Sequence, residues 1–199
     1  MTISYVVENS LYLNITNSCP NSCDFCVRNN SDSVGDADTL WLEYEPSFDE
    51  IINDLLKRDL NIYNEIVFCG YGEPFERIDD IIDICGWLKE NNNIKIRINT
   101  NGLGDLIQSK KTAPMLKGFI DTVSISLNAS TPAKYDDICH SVFGAAALPA
   151  IIEFATESKN YIDNVIFTVV DTLSKEEIEN CRKIAQECGV LFRVRTYIP

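Results

Sequence analysis

Three closely spaced cysteines are the residues of this sequence best suited to chemistry. Cys19, Cys23 and Cys26 lie within the eight-residue segment CPNSCDFC. Three thiolates on one loop can bind three irons of a 4Fe-4S cluster and leave the fourth iron open to another ligand. Structural zinc normally has four protein ligands in paired spacings, and no nearby Cys or His completes such a set. A disulfide framework fits poorly as well, because one of the three cysteines would stay unpaired.

Length and composition exclude several classes of protein. The chain has 199 residues, which predicts one domain over 1–199, too short for a full eight-fold barrel with insertions. The formal charge of −13 argues against direct nucleic-acid binding, which normally requires a basic surface. No apolar stretch reaches membrane-spanning length and no signal peptide is evident. The eight cysteines then favour a cytoplasmic protein with metal or redox chemistry over disulfide crosslinks.

Strands and helices are predicted to alternate along the chain. The predicted strands are a short extra one at 3–7 and six more at 11–16, 65–69, 94–99, 121–127, 164–170 and 191–196. The predicted helices are 48–58, 78–91, 104–117, 132–139, 144–158 and 175–187. This order predicts an α/β fold of parallel β-α units with right-handed crossovers, a partial (β/α)6 barrel with six parallel strands. Residues 29–45 are polar and rich in turn formers, and we expect them to act as a lid loop.

Several predicted strands alternate between apolar and polar residues. In 94–99, for example, Ile96 and Ile98 alternate with Arg97 and Asn99. Parallel strands are usually apolar on both faces, so this alternation predicts an open, polar interior that forms a binding cavity.

Glycine and polar residues follow the carboxyl ends of the predicted strands. After the strand 65–69 the sequence reads Gly70-Tyr71-Gly72-Glu73-Pro74, and the glycines would let the backbone approach a ligand closely. Glu73 would offer an acceptor for an ammonium group. This segment also fits an ordinary Gly-Pro turn, Asn101-Gly102 after the next strand fits an Asn-Gly turn, and Ser126-Leu127-Asn128 fits a polar strand end before a helix cap.

The cysteine spacing C-x3-C-x2-C, with Phe25 before the third cysteine, resembles the signature of the radical S-adenosylmethionine (radical SAM) superfamily. The Gly70–Glu73 segment is similar to the GGEP-type motif of that superfamily, with Tyr71 in place of its second glycine. The resemblance implies two cofactors, a 4Fe-4S cluster on the catalytic and metal-binding Cys19, Cys23 and Cys26, and S-adenosylmethionine on the open iron. It implies a reaction in which an external flavodoxin- or ferredoxin-type donor reduces the cluster. Cleavage of S-adenosylmethionine then gives a 5′-deoxyadenosyl radical, which abstracts hydrogen from a substrate.

The same resemblance assigns roles to further residues. Gly70, Tyr71, Gly72 and Glu73 would bind the amino end of S-adenosylmethionine, and Phe25 would pack beside the adenine. The remaining contacts to its ribose, carboxylate or adenine would come from strand ends, namely Asn99, Ser126, Asn128, Thr168, Arg195 and the pair Tyr197-Ile198.

A closer resemblance is to the TatD-associated radical SAM proteins, named for their gene neighbourhood with TatD-type hydrolases. It is carried by the runs NSLYLNIT, WLEYEPS, VFCGYGEP, IRINTNGLGDLI, VSISLNA and FRVR, and covers essentially the whole chain. It implies a functional link to such a hydrolase, but that family has no settled reaction.

Arginines on the predicted inner face bear on whether the substrate is anionic. Arg193 and Arg195 alternate with Phe192 and Val194, so both would enter the cavity, joined by Arg97. Buried guanidinium groups need anionic partners. Glu73, Asp171 and the cofactor carboxylate could serve, or else an anionic substrate held by the arginine side chains.

Three functions are compatible with these patterns. The first is an enzyme for an anionic, nucleotide-like small molecule, and the second is an activase or modifying enzyme for a protein or peptide. The third is a non-enzymatic iron–sulfur or zinc-binding module. Of the other cysteines, we expect Cys69 to border the site, whereas the helical ones belong to the core. No second cysteine cluster suggests an auxiliary iron–sulfur centre.

Overall fold

One seven-stranded sheet organises the chain in the computed structural model, which describes residues 1–197. The strands are β1 (Ser4–Val7), β2 (Ser10–Leu13), β3 (Glu65–Phe68), β4 (Lys95–Thr100), β5 (Thr122–Ser126), β6 (Asn164–Val170) and β7 (Leu191–Arg195). β1 is antiparallel to β2, and each later neighbour pair is parallel, in chain order. β1 and β7 form opposite edges of the sheet. The predicted partial barrel of six parallel strands with an extra N-terminal strand is confirmed.

Six α-helices connect the parallel strands. They are α1 (Phe48–Leu55), α2 (Ile78–Asn91), α3 (Gly104–Gln108), α4 (Pro132–Cys139), α5 (Ala147–Ser158) and α6 (Lys175–Cys188). At the start of α1, the side chains of Ser47 and Glu50 form the capping box that the sequence predicts. Apolar helix residues such as Ile81 and Phe154 pack in one core with the outward residues of the strands, such as Ile98. This packing leaves the opposite face of the sheet to polar side chains.

The predicted helix 104–117 is wrong in its length. α3 ends at Gln108, Ser109 adopts a left-handed φ of 52°, and a separate 3-10 turn follows at Ala113–Leu116. The chain reverses because Asp105 accepts hydrogen bonds from both the backbone N–H and the hydroxyl of Thr112, at 2.8 Å each. These bonds satisfy both donors of Thr112 where the chain has turned back toward Asp105, a position that Thr112 could not occupy in a continuous helix.

The inner face of the sheet carries polar side chains on β4 and β5, as the alternation predicts, beside apolar ones such as Val67 on β3 and Val170 on β6. The register places Arg97 opposite Thr122 and Asn99 opposite Ser124 on β4 and β5. The alternating residues Ile96 and Ile98 are buried on the other face. Polar side chains therefore line the interior in successive layers toward the carboxyl ends of the strands.

The 29–45 segment packs along the β1 edge of the sheet. Asp36 exchanges two hydrogen bonds with Val6 of β1, through its backbone N–H and its carboxylate. Leu40 is 1% exposed and packs with Tyr5 and Tyr71 in a second, small hydrophobic cluster. Leu40 is therefore the main buried anchor of the 29–45 segment, whereas the neighbouring Trp41 is 40% exposed. The role of this segment as a lid stays a prediction.

No single helix among residues 1–197 is both long enough and apolar enough to span a membrane. Helix α4 and the stretch Gly144–Ser158 pass that test only when taken together, across a bend of 117°.

Candidate active site

The loop that carries the three cysteines has no regular secondary structure and is fixed by its neighbours. On one side, the backbone N–H of Gly72 donates to Thr16 at 3.0 Å and that of Glu73 to Ser18 at 2.7 Å. A Cβ at Gly72 would lie 2.4 Å from the carbonyl oxygen of Thr16, and one at Gly70 would lie 2.0 Å from the side-chain oxygen of Asn14. Both glycines are thus required by contact with the chain that leads to the cysteines. The N–H groups of Gly72 and Glu73 are therefore bound to the protein itself, and the predicted close approach of this backbone to a ligand stays a prediction.

On its other side, the cysteine loop is bound to the carboxyl end of α4. Ser22 N–H donates to the carbonyl of Cys139 and Asp24 N–H to that of Ile138, both at 3.0 Å. The Asp24 carboxylate also lies 2.8 Å from Nε2 of His140. The loop is therefore held between the Gly70–Glu73 segment and α4, and its cysteines face the carboxyl ends of the parallel strands.

The three cysteines are free and half-buried. Burial raises the pKa of Cys19 to about 12. Burial also raises the pKa of Cys26, with the nearby Arg28 and Arg195 charges acting in the opposite direction. Arg28 is fixed by a 3.0 Å hydrogen bond to the carbonyl of Asn21 in the same loop. Positive groups thus stand near the thiols, where they favour an anionic iron–thiolate assembly.

The donor set fits a 4Fe-4S cluster better than a single metal ion. Within the described part of the chain, no three Cys, His, Asp or Glu side chains converge as ligands of one ion. Zinc requires such convergence, because its ligands surround one point at about 2.0–2.3 Å. In a cubane each thiolate binds a separate iron, so Cys19, Cys23 and Cys26 can serve from separated positions and leave one iron open.

Glu73 is a buried carboxylate that joins the Gly70–Glu73 segment to the end of β4. It is 3% exposed and accepts hydrogen bonds from the Thr100 hydroxyl and the Asn101 N–H, both at 2.7 Å, and from the Phe75 N–H at 3.1 Å. Burial raises its pKa to about 7 in spite of these bonds. Its side chain is held by the protein itself, and its contact with a ligand ammonium group stays a prediction.

The predicted site residues of the strands lie on the inner face, and they differ in whether their side chains are already hydrogen-bonded within the protein. Asn99 accepts a 2.6 Å hydrogen bond from Arg97. The Thr168 hydroxyl is buried and donates to the carbonyl of Ile125 at 3.3 Å. Ser126 is half-buried and faces Thr168 across the β5–β6 pair. Of these residues, Ser126 therefore has the hydroxyl best placed for a ligand.

The aromatic candidates lie on different sides of the cysteine loop. Phe25 is partly buried against the main core. Tyr71 is 3% exposed, and its hydroxyl donates to the carbonyl of Ser31, so it anchors the 29–45 segment. The hydroxyl of Tyr197 accepts a 2.8 Å hydrogen bond from Asn30. Ile198 lies outside the described residues. Contact of Phe25, Tyr71 and Tyr197 with S-adenosylmethionine stays a prediction.

Asn128 lies under the cysteine loop. It is 3% exposed with a left-handed φ of 58°, and its amide nitrogen is 3.9 Å from the sulfur of Cys139. Its side-chain oxygen has no hydrogen-bond partner among the described residues. Its predicted contact with S-adenosylmethionine stays a prediction.

The three inward arginines differ in whether a carboxylate neutralises their charge. Arg97 binds both carboxylate oxygens of Glu65, at 2.7–3.1 Å, and lies over the ring of Tyr12. In residues 1–197, no carboxylate lies within 4.0 Å of Arg193 or Arg195. Burial and the neighbouring Arg193 charge lower the pKa of Arg195. Arg97 is already neutralised by Glu65, whereas Arg195 is half-buried and Arg193 is exposed, and neither has a carboxylate partner in these residues.

Two features of the site were not identified from the sequence. The carbonyl oxygen of Cys139, a residue to which the sequence assigns no role in the site, lies 3.8 Å from the sulfur of Cys23. Asn21 donates a 2.9 Å hydrogen bond to the buried hydroxyl of Tyr135 and so helps to attach the loop to α4. Asn21 and Tyr135 are 114 positions apart in the sequence, so no local pattern indicates this contact.

A family comparison decides how this arrangement is classified. The sequence profile of the Radical SAM superfamily matches residues 13–185, which include the three cysteines and β3 through most of α6. The chain belongs to the radical SAM superfamily. That superfamily uses a 4Fe-4S cluster and S-adenosylmethionine, and the residues described above fit that use. No curated protein matches the sequence significantly.

Solved structures share the fold at low sequence identity. A radical SAM methyltransferase from Sphaerobacter thermophilus has 16% identity and a TM-score of 0.63 over 97% of this chain. SuiB from Streptococcus suis, bound to S-adenosylmethionine, has 20% identity and a TM-score of 0.62 over 96%. HydG, a maturase of the [FeFe]-hydrogenase, has 18% identity and a TM-score of 0.66 over 96%. This chain spans 57%, 38% and 42% of those three proteins, respectively.

Replacing Gly72 with Ala tests the packing of the cysteine loop. We expect it to lower the free energy of unfolding by about 2 kcal/mol or more, because its Cβ would meet two backbone carbonyls. We also expect less iron per chain after reconstitution. Gly86→Ala in α2 is the matched control, since a Cβ there meets nothing within 4 Å and should stabilise the helix by about 0.5–1 kcal/mol. Equal stability and iron content in both variants would contradict the packing role. Urea unfolding and iron analysis provide the measurements.

Glu73 predicts a pH dependence of stability. Its pKa rises from 4.5 to about 7 on folding, so between these values the folded chain keeps a proton that the unfolded chain has lost. This contribution to stability is fully present below about pH 4.5 and is lost as the pH rises toward 7, with a limiting slope of about 1.4 kcal/mol per pH unit. Urea unfolding of wild type and Glu73→Gln from pH 4.5 to 8 should show this loss in wild type alone. Parallel profiles would refute it.

Proposed function

We propose that this chain is the catalytic domain of a radical SAM enzyme that acts on a small, anionic, nucleotide-like substrate. The observation that carries the proposal is the arrangement of three free cysteines on a firmly held loop at the strand ends, near two arginines that have no carboxylate partner among residues 1–197. A zinc or iron–sulfur module without enzymatic activity would have no need for the inward arginines.

The residues of this chain would divide the work as follows. Cys19, Cys23 and Cys26 hold the cluster, and the Gly70–Glu73 segment with Ser126 positions S-adenosylmethionine beside it. When bound, these cofactors supply one-electron cleavage of the sulfonium and removal of a hydrogen atom from the substrate. The protein contributes orientation, exclusion of water and compensation of charge.

Arg193 and Arg195 support the choice of an anionic substrate. Both follow the inner face of β7, and Arg195 is the one closer to the cysteines, because its charge acts on Cys26. We assign Arg195 to the carboxylate of S-adenosylmethionine and Arg193, one layer deeper and 3.4 Å from the Ser124 hydroxyl, to the substrate. We leave Arg97 out of the substrate site, because Glu65 already neutralises it.

Wider aspects of the function rest on the sequence resemblance. The chain is proposed to belong to the TatD-associated branch, to work with a TatD-type hydrolase, and to receive electrons from a flavodoxin- or ferredoxin-type donor. A cytoplasmic location is supported by the eight cysteines, none of which forms a disulfide in the described residues. The 29–45 segment or a partner would close the site.

A protein or peptide substrate is the second candidate. At the β7 edge, Leu191 is 57% exposed and Val194 is 38% exposed, next to the inward arginines. An exposed strand edge can accept an extended peptide by backbone pairing. Acidic residues of such a peptide would meet Arg193.

Radical SAM activity can be tested without knowledge of the substrate. After anaerobic iron–sulfur reconstitution, reductant and S-adenosylmethionine should yield 5′-deoxyadenosine, detected by chromatography. Cys23→Ala should abolish both the cluster absorbance and the product, because one of three iron ligands is lost. Cys181→Ala, a change of a buried cysteine in α6, should retain both. A well-formed cluster without cleavage would point to a missing partner, and a chain that holds no cluster would overturn the proposal.

The arginines give a second test on the cluster-free chain. Arg195→Met should raise the free energy of unfolding by about 1 kcal/mol, because it removes a half-buried charge that has no counter-charge in the part of the chain that the structure describes. Arg97→Met should instead lower it by about 2 kcal/mol, because Glu65 loses its partner. Urea unfolding measures both changes. A loss of stability in Arg195→Met would indicate that its charge is already compensated.

A binding measurement connects these arginines with function. Calorimetry with S-adenosylmethionine on the reconstituted protein should show at least tenfold weaker binding to Arg195→Met, or about 1.4 kcal/mol. Arg193→Met should weaken the binding of adenosine monophosphate, used as an anionic probe, more than that of S-adenosylmethionine. Arg182→Met serves as the control, because Arg182 lies on α6, pairs with Glu179 and stacks over Phe192 on the opposite face of β7. Unchanged affinities in both variants would remove the arginines from the site.

A further inference from the structure

Helix α2 carries apolar residues on the face that points away from the core. Its inner face, with residues such as Ile81 and Leu88, is fully buried. A helix at the surface of a soluble protein normally places charged and polar residues on the opposite side. The outer face of α2 instead presents Ile82, Gly86 and Trp87, which pack against the core only in part and are partly exposed. The helix therefore has a second apolar stripe that no element of the fold covers among residues 1–197.

This stripe is the floor of a cavity of about 450 Å³, which we call the α2 groove. Phe48, the first residue of α1, and Phe119, which follows the turn after α3, also line it. Phe48 belongs to the crossover before α2 and Phe119 to the crossover after it, so the groove extends over α2 and both of its neighbours. With Trp87, these residues form an aromatic lining, and aromatic side chains are enriched at the centres of binding interfaces.

Gly86 keeps the groove open at the expense of the helix. Glycine inside a helix is less favourable than alanine, because its unfolded state has more conformational freedom. The backbone does not require glycine here, since Gly86 is not among the residues of positive φ, and packing does not require it either, since a Cβ would meet no atom within 4 Å. A side chain at this position would instead project into the groove. The groove, not the packing of α2, thus explains the glycine.

The edge of the groove is acidic. Asp83 and Glu90, seven residues apart on α2, are both exposed lining residues, and neither forms an ion pair within residues 1–197. The nearby Lys89 pairs with Asp121 instead, at 3.4 Å. No basic residue lines the groove in the described part of the chain. An apolar groove between unpaired carboxylates is complementary to apolar side chains flanked by lysine or arginine.

We propose that the α2 groove is a docking surface for a partner protein, which binds through an amphipathic helix with apolar residues on one face and lysine or arginine beside them. The stretch from Ile82 to Glu90 is about 12 Å long, or two helical turns, which matches the spacing of anchors in helix-in-groove binding. A second copy of this chain is a poor occupant, because copies with a formal charge of −13 repel each other. The groove lies on the outer side of the helices, and the inference does not depend on the reaction proposed above.

Tryptophan fluorescence tests the proposal at the groove itself, since the chain has only two tryptophans, Trp41 and Trp87. In the full chain with Trp41→Phe, Trp87 is the sole indole. The probe is a tryptophan-free amphipathic helical peptide of leucine and lysine. Its binding should shift the emission of Trp87 to shorter wavelength, because the indole becomes covered by apolar side chains. The same peptide with glutamate in place of lysine should produce no shift. Absence of a shift with the lysine peptide would overturn the proposal.

Matched variants separate groove binding from general attraction to an acidic protein. Asp83→Lys combined with Glu90→Lys should weaken binding of the lysine peptide by about tenfold or more. Asp137→Lys combined with Glu187→Lys makes the same change of net charge on exposed residues of α4 and α6, and should weaken binding by less than about twofold. Equal weakening in both double variants would show that the attraction is not specific to the groove and would overturn the proposal.

Gly86→Leu distinguishes a filled groove from a damaged fold. Leucine should occupy the groove and abolish the binding of the lysine peptide, while the urea midpoint stays at or above that of wild type, because leucine favours a helix more than glycine does. Retained binding in this variant would place the peptide elsewhere and contradict the proposal. Sedimentation of the wild-type chain without peptide should show a monomer. A dimer that Gly86→Leu dissociates would assign the groove to a second copy of this chain and would equally overturn the proposed partner.

Discussion

Main-chain hydrogen bonds on two sides of an irregular loop determine where the three cysteines stand. The loop from Asn14 to Cys26 has no helix or strand of its own and cannot hold three thiols in place unaided. Gly72 and Glu73 bind its first half through their N–H groups, and the end of α4 binds its second half. The approach at Gly72 is so close that any side chain would collide with backbone carbonyls. Glu73 then connects this contact to β4, so the cysteine loop, the glycine segment and the sheet move as one unit.

Charge inside the sheet follows a second constraint. The chain is strongly acidic overall, and Arg97 is neutralised by a carboxylate on the neighbouring strand β3. Arg193 and Arg195 have no such neighbour in the described residues, because β6, beside them, offers threonine and valine at the facing positions. Arg193 is exposed, but Arg195 is half-buried, and a half-buried charge without a partner is costly for the empty protein and useful only when a ligand supplies the counter-charge. The β7 edge of the barrel is therefore where binding of an anion would be most favourable.

The local pattern of the sequence was sufficient for the strands and for the cysteine motif, but not for contacts between distant segments. The alternation of Ile96, Arg97 and Ile98 correctly gave the faces of β4, because side chains alternate along any strand. It could not give Glu65 as the partner of Arg97, since that depends on the register between β3 and β4. The predicted helix 104–117 failed because Asp105 binds Thr112 in a reversed chain, an interaction that helical periodicity does not register.

The residues that contact the cofactor are harder to predict from the sequence than the metal ligands. Ser126 and Asn99 were placed on the inner face by alternation alone, yet Asn99 is already bonded to Arg97. The glycines were correctly singled out as backbone requirements, but their neighbour is the protein chain itself. Cys139 gave no signal, because an isolated buried cysteine in a helix is ordinary.

The order of the strands has a consequence for how the protein is made on the ribosome. Neighbours in the sheet are neighbours in sequence, so the sheet can grow from β1 to β7 as the chain emerges. The cysteines emerge early, but the end of α4, which holds their loop in place, lies 116 residues beyond Cys23. At about 5–20 residues per second, that interval lasts on the order of 10 s. During this interval the nascent cysteine loop can be held only by Gly72 and Glu73. Metal insertion into a fixed site must therefore wait until translation has passed α4.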